Sequence, residues 1–157
     1  MFQAILSDPD LWLIPVRNDT RLSRMLHVLI HMARHELPAT SDTLAKMLGT
    51  NPVVVRRTMG LLKKQGYVGS EKGHRGGWTL ARPLADITLL DVHNALGPSS
   101  LFAIGLSTDH PECLVEQSVN DALTDAFEAA QALLLERLGA VTLEQLADDF
   151  ERRYQSR

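Results

Sequence analysis

The sequence predicts a mainly α-helical fold that carries one short β-hairpin. Apolar residues recur at helical spacing in three successive segments between residues 20 and 66, which indicates three amphipathic helices. Residues 67–80 then change to a strand, a glycine-rich turn and a second strand. Further helical segments follow, including a long one from about Cys113 to Leu138.

Short polar and glycine segments bound the first two helices. Residues 18–20, with the sequence Asn-Asp-Thr, offer N-caps to a first helix that we expect to run to about His35. We expect Ser41 to cap a short second helix, and the Gly49-Thr50 turn to end it. The two helices are therefore neighbours that only a short connection separates.

The third helix has clear signals at both ends. Asn51 can satisfy free amide groups at a helix start, and Pro52 suits the first helical position. Gly66 is a natural helix stop. The predicted buried stripe consists of Val55, Met59 and Leu62, with Val54 and Leu61 beside it.

The segment after Gly66 has the pattern of a hairpin. Residues 67–72 and 78–80 have strand character, and the turn between them is Gly-His-Arg-Gly-Gly. Three helices followed by a glycine-tipped hairpin is the element order of a winged helix-turn-helix. The sequence therefore predicts this DNA-binding architecture, with the two strands as the wing.

The remaining residues predict three more helices. Thr88 caps a helix over residues 89–96 that Gly97-Pro98 closes, and a looser stretch covers residues 99–112. The long helix then follows, and Thr142 caps a last helix over residues 143–154. One side of the long helix is apolar, which suits dimerisation. This side contains Leu114, Val119, Leu123, Ala126, Phe127, Ala130 and Leu134.

Charge separates the chain into two parts. Residues 17–82 contain 12 Lys and Arg against 4 Asp and Glu, a net charge of +8. Residues 83–157 contain 4 against 13, a net charge of −9. A folded basic segment of this kind indicates a phosphate-backbone partner, here double-stranded DNA. We expect an N-terminal extension or arm at 1–16, a DNA-binding domain at 17–85, and a helical dimerisation and sensing region at 86–157.

Composition excludes several classes of protein. No apolar run approaches the ~18 residues that a membrane span needs, and the N-terminal segment lacks the features of a signal peptide. The single cysteine rules out an internal disulfide and fits a reducing cytoplasm. No motif of a hydrolase, phosphate-binding loop or zinc protease is present, so we do not expect an enzyme.

The candidate DNA contacts follow from the docking geometry of a helix-turn-helix. The start of the third helix meets base edges, where Arg reads guanine and Val53 can contact a thymine methyl group. Lysines further along the helix are placed for phosphates, and the hairpin tip can enter the minor groove. The candidates are Asn51, Val53, Arg56, Arg57, Lys63, Lys64, His74 and Arg75, with Arg21 and Arg24 on the first helix as additional phosphate contacts.

Four segments resemble the Rrf2 family of bacterial regulators, which includes iron–sulfur and nitric-oxide-responsive repressors and the cysteine-metabolism repressor. The segments are residues 20–29 (TRLSRMLHVL), 55–68 with VRR and LKKQGYV at its two ends, 73–82 (GHRGGWTLAR) and 87–92 (ITLLDV). The resemblance spans residues 18–150. It implies a homodimeric transcription regulator, a repressor, whose long helix pairs with that of its partner. It also places Val53, Arg56 and Arg57 where relatives read bases, and Arg75 on the wing.

The chain departs from the cluster-binding relatives at one point. Those relatives carry three cysteines before and at the start of the long helix, whereas this chain has only Cys113. Clusters normally need several thiolates, so we expect no iron–sulfur cluster and no other cofactor. Thiol sensing by Cys113 becomes a hypothesis, because a helix N-terminus favours the thiolate whereas Glu112 and Glu116 oppose it. The alternative is a buried structural thiol.

Two further alternatives stay open. His27, His31 and His35 repeat every four residues, a metal-ligand spacing, but core histidines explain the pattern at least as well and we assign no metal. One alternative is therefore a regulator controlled by a small ligand or a metal, with Cys113 structural. The other is a winged helix that serves as a protein-interaction module, for which DNA binding would depend only weakly on salt.

Overall fold

The computed structural model describes residues 19–35, 38–73, 76–97 and 105–156. Six helices and one hairpin lie in this part of the chain, together with a single 3₁₀ turn at Leu84–Asp86. The elements are α1 (Arg21–Arg34), α2 (Ser41–Leu48), α3 (Pro52–Lys64), β1 (Val68–Glu71), β2 (Gly77–Leu80), α4 (Leu89–Ala95), α5 (Leu114–Gly139) and α6 (Leu143–Gln155). This order confirms the predicted mainly α-helical winged helix-turn-helix with a long C-terminal helix.

The helix starts show one confirmed cap and one correction. The side chain of Asn51 accepts a 2.8 Å hydrogen bond from the Val53 amide, as expected of an N-cap before Pro52. The prediction that Ser41 caps α2 is wrong. Thr40 has the extended backbone of a cap, and its hydroxyl accepts a 3.1 Å hydrogen bond from the Thr43 amide. Ser41 is instead the first helical residue.

The hairpin is attached to the start of α2. Strands β1 and β2 are antiparallel, with Val68 opposite Leu80 and Glu71 opposite Gly77. The main chains of Trp78 and Ala39 exchange two hydrogen bonds, of 2.8 and 3.0 Å. The wing is thus held to the helix-turn-helix by backbone pairing as well as by its connection to α3.

The core lies among α1, α2, α3, β1, α4 and the start of α6. The stripe predicted for α3 is confirmed, since Val55, Met59 and Leu62 are buried. Leu143, at the first turn of α6, is fully buried in the same cluster as the α1 residues. The buried apolar residues are Met25, Val28, Leu29, Met32, Leu44, Ala45, Val55, Met59, Leu62, Val68, Ile87, Val92, Ala95, Leu96 and Leu143.

The long helix α5 contrasts with this core. None of its 26 residues is buried, whereas its C-terminal end is tied to α4. Thr88 and Thr142 form an isolated antiparallel bridge, in which the Leu89 amide donates to the Val141 carbonyl at 3.0 Å. The turn between α5 and α6 is thereby fixed to the start of α4. No helix within the described residues is long and apolar enough to cross a membrane.

Candidate nucleic-acid interface

The N-terminal half of α3 presents a mixed apolar and basic face to solvent. Val53 is 64% exposed, and the Arg56 and Arg57 side chains are exposed as well. Thr58 is buried and donates a 2.9 Å hydrogen bond to the Val54 carbonyl, so this position faces away from solvent. The α3 residues predicted to read bases therefore occupy one accessible face, next to the Asn51 cap.

An open cleft of about 330 Å³ separates this face from the wing. Arg56 lines it on the α3 side, and the start of α2 and the two wing strands line the other sides. Asp42 and Glu71 add two carboxylates, so the cleft is not uniformly basic. Its lining residues are Thr40, Ser41, Asp42, Arg56, Ser70, Glu71, Gly73, Gly76, Gly77 and Trp78.

The two lysines at the end of α3 differ in their contacts. The Lys63 ammonium donates a 2.6 Å hydrogen bond to the Ser70 hydroxyl on β1. Lys63 is thereby held between the helix and the wing. Lys64 lies on the exposed surface of the last turn. Both charges lie at the C-terminal end of α3, on the side from which the wing begins.

The first helix contributes two arginines in different states. Arg21 forms a 2.6 Å ion pair with Asp19 and also donates to the Leu96 carbonyl at 3.4 Å. The hydrogen bonds from Arg21 lower the pKa of Asp19, and those to Asp19 raise the pKa of Arg21. Arg24 is exposed and lines a small pocket of about 50 Å³ beside Thr50 and Val54. Arg24 is therefore the nearer of the two to α3 with its charge directed at solvent.

The wing tip is described only in part. His74 and Arg75, both candidate DNA contacts, lie outside the described residues. The flanking Gly76 requires the absence of a side chain, because a Cβ there would lie 2.3 Å from the Glu71 carbonyl oxygen. Ser70 and Trp78 contribute to the site although the sequence did not single them out. Their roles depend on contacts with Lys63 and Ser41 that no local pattern encodes.

Comparisons with known proteins agree with this geometry. The family model Rrf2, described as iron-dependent transcriptional regulator, matches residues 18–149. The chain belongs to the Rrf2 family. YwnA of Bacillus subtilis (strain 168), named as an HTH-type transcriptional regulator, is 33% identical over 129 residues, which cover 82% of this chain and 95% of YwnA.

Two solved structures share the Rrf2 fold with this chain. T. potens IscR has a TM-score of 0.66 at 22% identity, with 88% of this chain and 91% of that one covered. A crystal structure described as a DNA-binding protein has a TM-score of 0.64 at 31% identity, with 80% and 97% covered. The protein is a transcriptional regulator of the Rrf2 type with a DNA-binding fold, and its relatives are regulators rather than enzymes.

The donor set of this Rrf2 protein does not fit an iron–sulfur cluster. The chain has one cysteine, and a cluster is normally held by four ligands that are mostly thiolates. Within the described ranges, no group of three or more His, Cys, Asp or Glu side chains is arranged to hold a metal ion. His27 and His31 stack with ring centroids 4.6 Å apart. We therefore derive no step through iron.

Cys113 lies at the N-cap position of α5 and is exposed. The alternative of a buried structural thiol is thus wrong for the single chain. The preceding loop is held against the first turns of α5 by three side chains. Glu116 accepts from the His110 amide at 3.1 Å, Gln117 donates to the Pro111 carbonyl at 2.8 Å, and Asn120 donates to the Ser107 carbonyl at 2.8 Å. Cys113 therefore stands where an ordered loop joins the long helix.

Proposed function

We propose that the protein is a cytoplasmic homodimeric repressor that reads double-stranded operator DNA through α3 and the wing. The exposed face of Val53, Arg56 and Arg57 beside the cleft under the wing is the observation that carries this proposal. An exposed valine between basic side chains at a helix start suits a major groove, because it offers apolar contact together with bidentate donors.

Each candidate residue has a distinct proposed role. Arg56 and Arg57 donate to guanine edges, and Val53 contacts a thymine methyl group beside Asn51. Lys63, Lys64 and Arg24 bind phosphates, which set affinity and register rather than sequence preference. Arg21 contributes less, because Asp19 already neutralises it. His74 and Arg75 at the wing tip enter the adjacent minor groove.

The dimer is proposed from the surface of α5. Leu114, Val115 and Val119 are 76%, 71% and 51% exposed, and Leu133 is 54% exposed near the other end. A 26-residue helix with this apolar surface and no buried residue needs a cover, and a second α5 supplies it. The two recognition helices would then read half-sites about 34 Å apart.

The signal is proposed to act at Cys113. A peroxide transfers one oxygen atom to the thiolate, which gives a sulfenate and releases water or an alcohol. The sulfenate can then condense with a thiol of a small molecule or of the second subunit, with loss of water. Either product adds bulk at the start of α5, where it would tilt this helix and change the spacing of the recognition helices.

The test begins with duplexes selected by the protein from a random pool. Fluorescence anisotropy with the selected duplex compares reduced and peroxide-treated protein at two salt concentrations. We expect tight binding that weakens by roughly 0.9 log units per log unit of salt for each phosphate contacted. We also expect peroxide to weaken binding by the wild type and to leave Cys113→Ser unaffected.

The possible outcomes separate the parts of the proposal. Binding that is weak and nearly independent of salt would contradict the DNA reader and favour a protein-interaction module. Tight binding by wild type that peroxide does not change, or release of Cys113→Ser by peroxide, would contradict the thiol sensor and favour control by a small ligand or a metal. A monomer in sedimentation experiments at micromolar concentration would contradict the dimer.

A further inference from the structure

The junction between α3 and the wing meets α4 at one polar cluster. The Arg82 guanidinium lies 5.4 Å from the centroid of the Tyr67 ring, at van der Waals distance from Gly66. Tyr67 and the Asp91 carboxylate share a side-chain hydrogen bond. Burial, followed by the charge of Asp91, raises the pKa of Tyr67. The three side chains therefore connect the end of α3, the end of the hairpin and the first turn of α4.

Tyr67 belongs to both DNA-reading elements. Its amide donates to the Leu62 carbonyl at 3.1 Å, which closes the last turn of α3. Its carbonyl accepts from the Ala81 amide at 3.0 Å, which extends the β1–β2 pairing by one residue. A displacement of the Tyr67 side chain would therefore be transmitted to the recognition helix and to the wing together.

Asp91 belongs to the element that carries α5. Its carboxylate accepts from the amide and the hydroxyl of Thr88, at 2.8 and 2.7 Å. Thr88 is also the residue that bridges Thr142 in the turn between α5 and α6. In addition, the Leu90 side chain lies against Gly139, so that a Cβ on this glycine would be 3.4 Å from it. The start of α4 is therefore joined to the C-terminal end of α5.

We propose that Asp91 and Tyr67 are positioning residues that fix the recognition helix and the wing relative to α5. In the homodimer, this contact sets how far the two half-sites of an operator can depart from their optimal spacing. The inference rests on the proposed dimeric DNA reader. It assigns to Asp91 and Tyr67 a role in site spacing, without any contact with DNA.

A second contact between the N- and C-terminal parts of the chain provides the control. The Arg34 guanidinium forms a 2.9 Å ion pair with Glu151 and lies 4.4 Å from the Phe150 ring centroid. This contact fastens α6 to α1 and includes no residue of α3 or of the wing. An Arg34→Gln variant should therefore loosen the packing of α6 without releasing the recognition helix.

The experiment measures binding to the selected operator, to the same operator with one base pair inserted between the half-sites, and to a single half-site. One base pair rotates the second half-site by about 34° and moves it by about 3.4 Å. We expect the insertion to weaken wild-type binding by about tenfold or more. In Tyr67→Phe and in Asp91→Asn, we expect this penalty to fall to about threefold or less, while half-site affinity stays within about twofold of wild type.

The double variant and the control complete the test. Tyr67→Phe combined with Asp91→Asn should reduce the spacing penalty no further than either change alone, because both remove the same contact. Arg34→Gln should keep the wild-type penalty. A wild-type penalty in both single variants would overturn the positioning role, as would equal losses at the half-site and the full operator. Failure of the wild type to prefer two half-sites over one would overturn the proposed dimeric reader itself.

Discussion

The indole nitrogen of Trp78 donates a 2.9 Å hydrogen bond to the Ser41 hydroxyl, across the contact between the wing and α2. Ser41→Ala would leave this partly buried donor without its partner. We expect a loss of about 1 kcal/mol in the free energy of unfolding, measured by urea denaturation. Ser23→Ala, at an exposed position of α1, is the control and should change stability by less than about 0.5 kcal/mol. Equal midpoints for Ser41→Ala and wild type would contradict the assignment.

Two glycines should respond to alanine in opposite directions. A Cβ on Gly77 would lie 2.8 Å from the Ala39 carbonyl oxygen, so Gly77→Ala must push the wing away from the start of α2. We expect it to destabilise the fold by about 1–3 kcal/mol. Gly60 lies within α3, where an added methyl group would meet nothing within 4 Å, so Gly60→Ala should stabilise by about 0.5–1 kcal/mol. Thermal unfolding of both variants checks the two signs.

Arg56→Ala and Lys64→Ala should weaken DNA binding in different ways. Loss of Arg56 should cost about 1–3 kcal/mol on the preferred operator and much less on duplexes changed at one base pair, because a base contact is removed. Loss of Lys64 should weaken all duplexes alike and reduce the slope against log salt by about 0.9. Arg152→Ala, which removes a cation paired with Asp149 on α6, should change neither quantity. An identical pattern for Arg56→Ala and Lys64→Ala would contradict the division of roles.

The contact between Arg34 and α6 should contribute modestly to stability. Arg34→Ala removes an ion pair between partly exposed groups and the packing of the guanidinium on Phe150 and Tyr154. We expect a loss of about 1 kcal/mol in urea denaturation, most of it from the aromatic contacts. Glu151→Gln removes only the ion pair and should therefore cost less. A greater loss for Glu151→Gln than for Arg34→Ala would show that the aromatic contacts contribute little.

Stability should fall with pH through the titration of His31. Burial, followed by the charges of His27, His35 and Arg34, lowers the pKa of His31 below its usual value of 6.5. The unfolded chain therefore takes up this proton at a higher pH than the native protein does. As the pH falls below about 6.5, the native state is progressively disfavoured, until His31 is protonated in both states. Thermal unfolding between pH 8 and pH 5.5 should be less pH-dependent in His31→Gln, and an unchanged slope would contradict this origin.

Much of the fold could be predicted because its signals are local. Asn51-Pro52 and Gly66 mark the ends of α3 through backbone geometry alone, and the glycine-tipped hairpin needs only neighbouring residues. The cap of α2 is the exception, because the sequence pattern favours the wrong hydroxyl. Thr40 and Ser41 are adjacent and chemically similar, and the strand-like pairing of Ala39 with Trp78 decides which of them has the extended backbone.

The candidate site was predictable in its charges but not in its supports. The exposure of Val53, Arg56 and Arg57 follows from the helical position of the buried stripe, which the sequence contains. The contacts Trp78–Ser41 and Lys63–Ser70 join segments whose approach depends on tertiary packing. The accessibility of Cys113 likewise could not be inferred from its neighbours, since free cysteines occur both in cores and on surfaces.

The complete burial of Leu143 beside helices from the other end of the chain has a consequence for biosynthesis. The ribosome releases α1, α2, α3 and the wing well before it has made α6, so the apolar surface that Leu143 covers stays wet during that interval. A fragment cut short before residue 143 would carry the basic face on an unfinished support. Only chains translated through α6 should compete for operators, and interrupted products should be cleared by proteases instead.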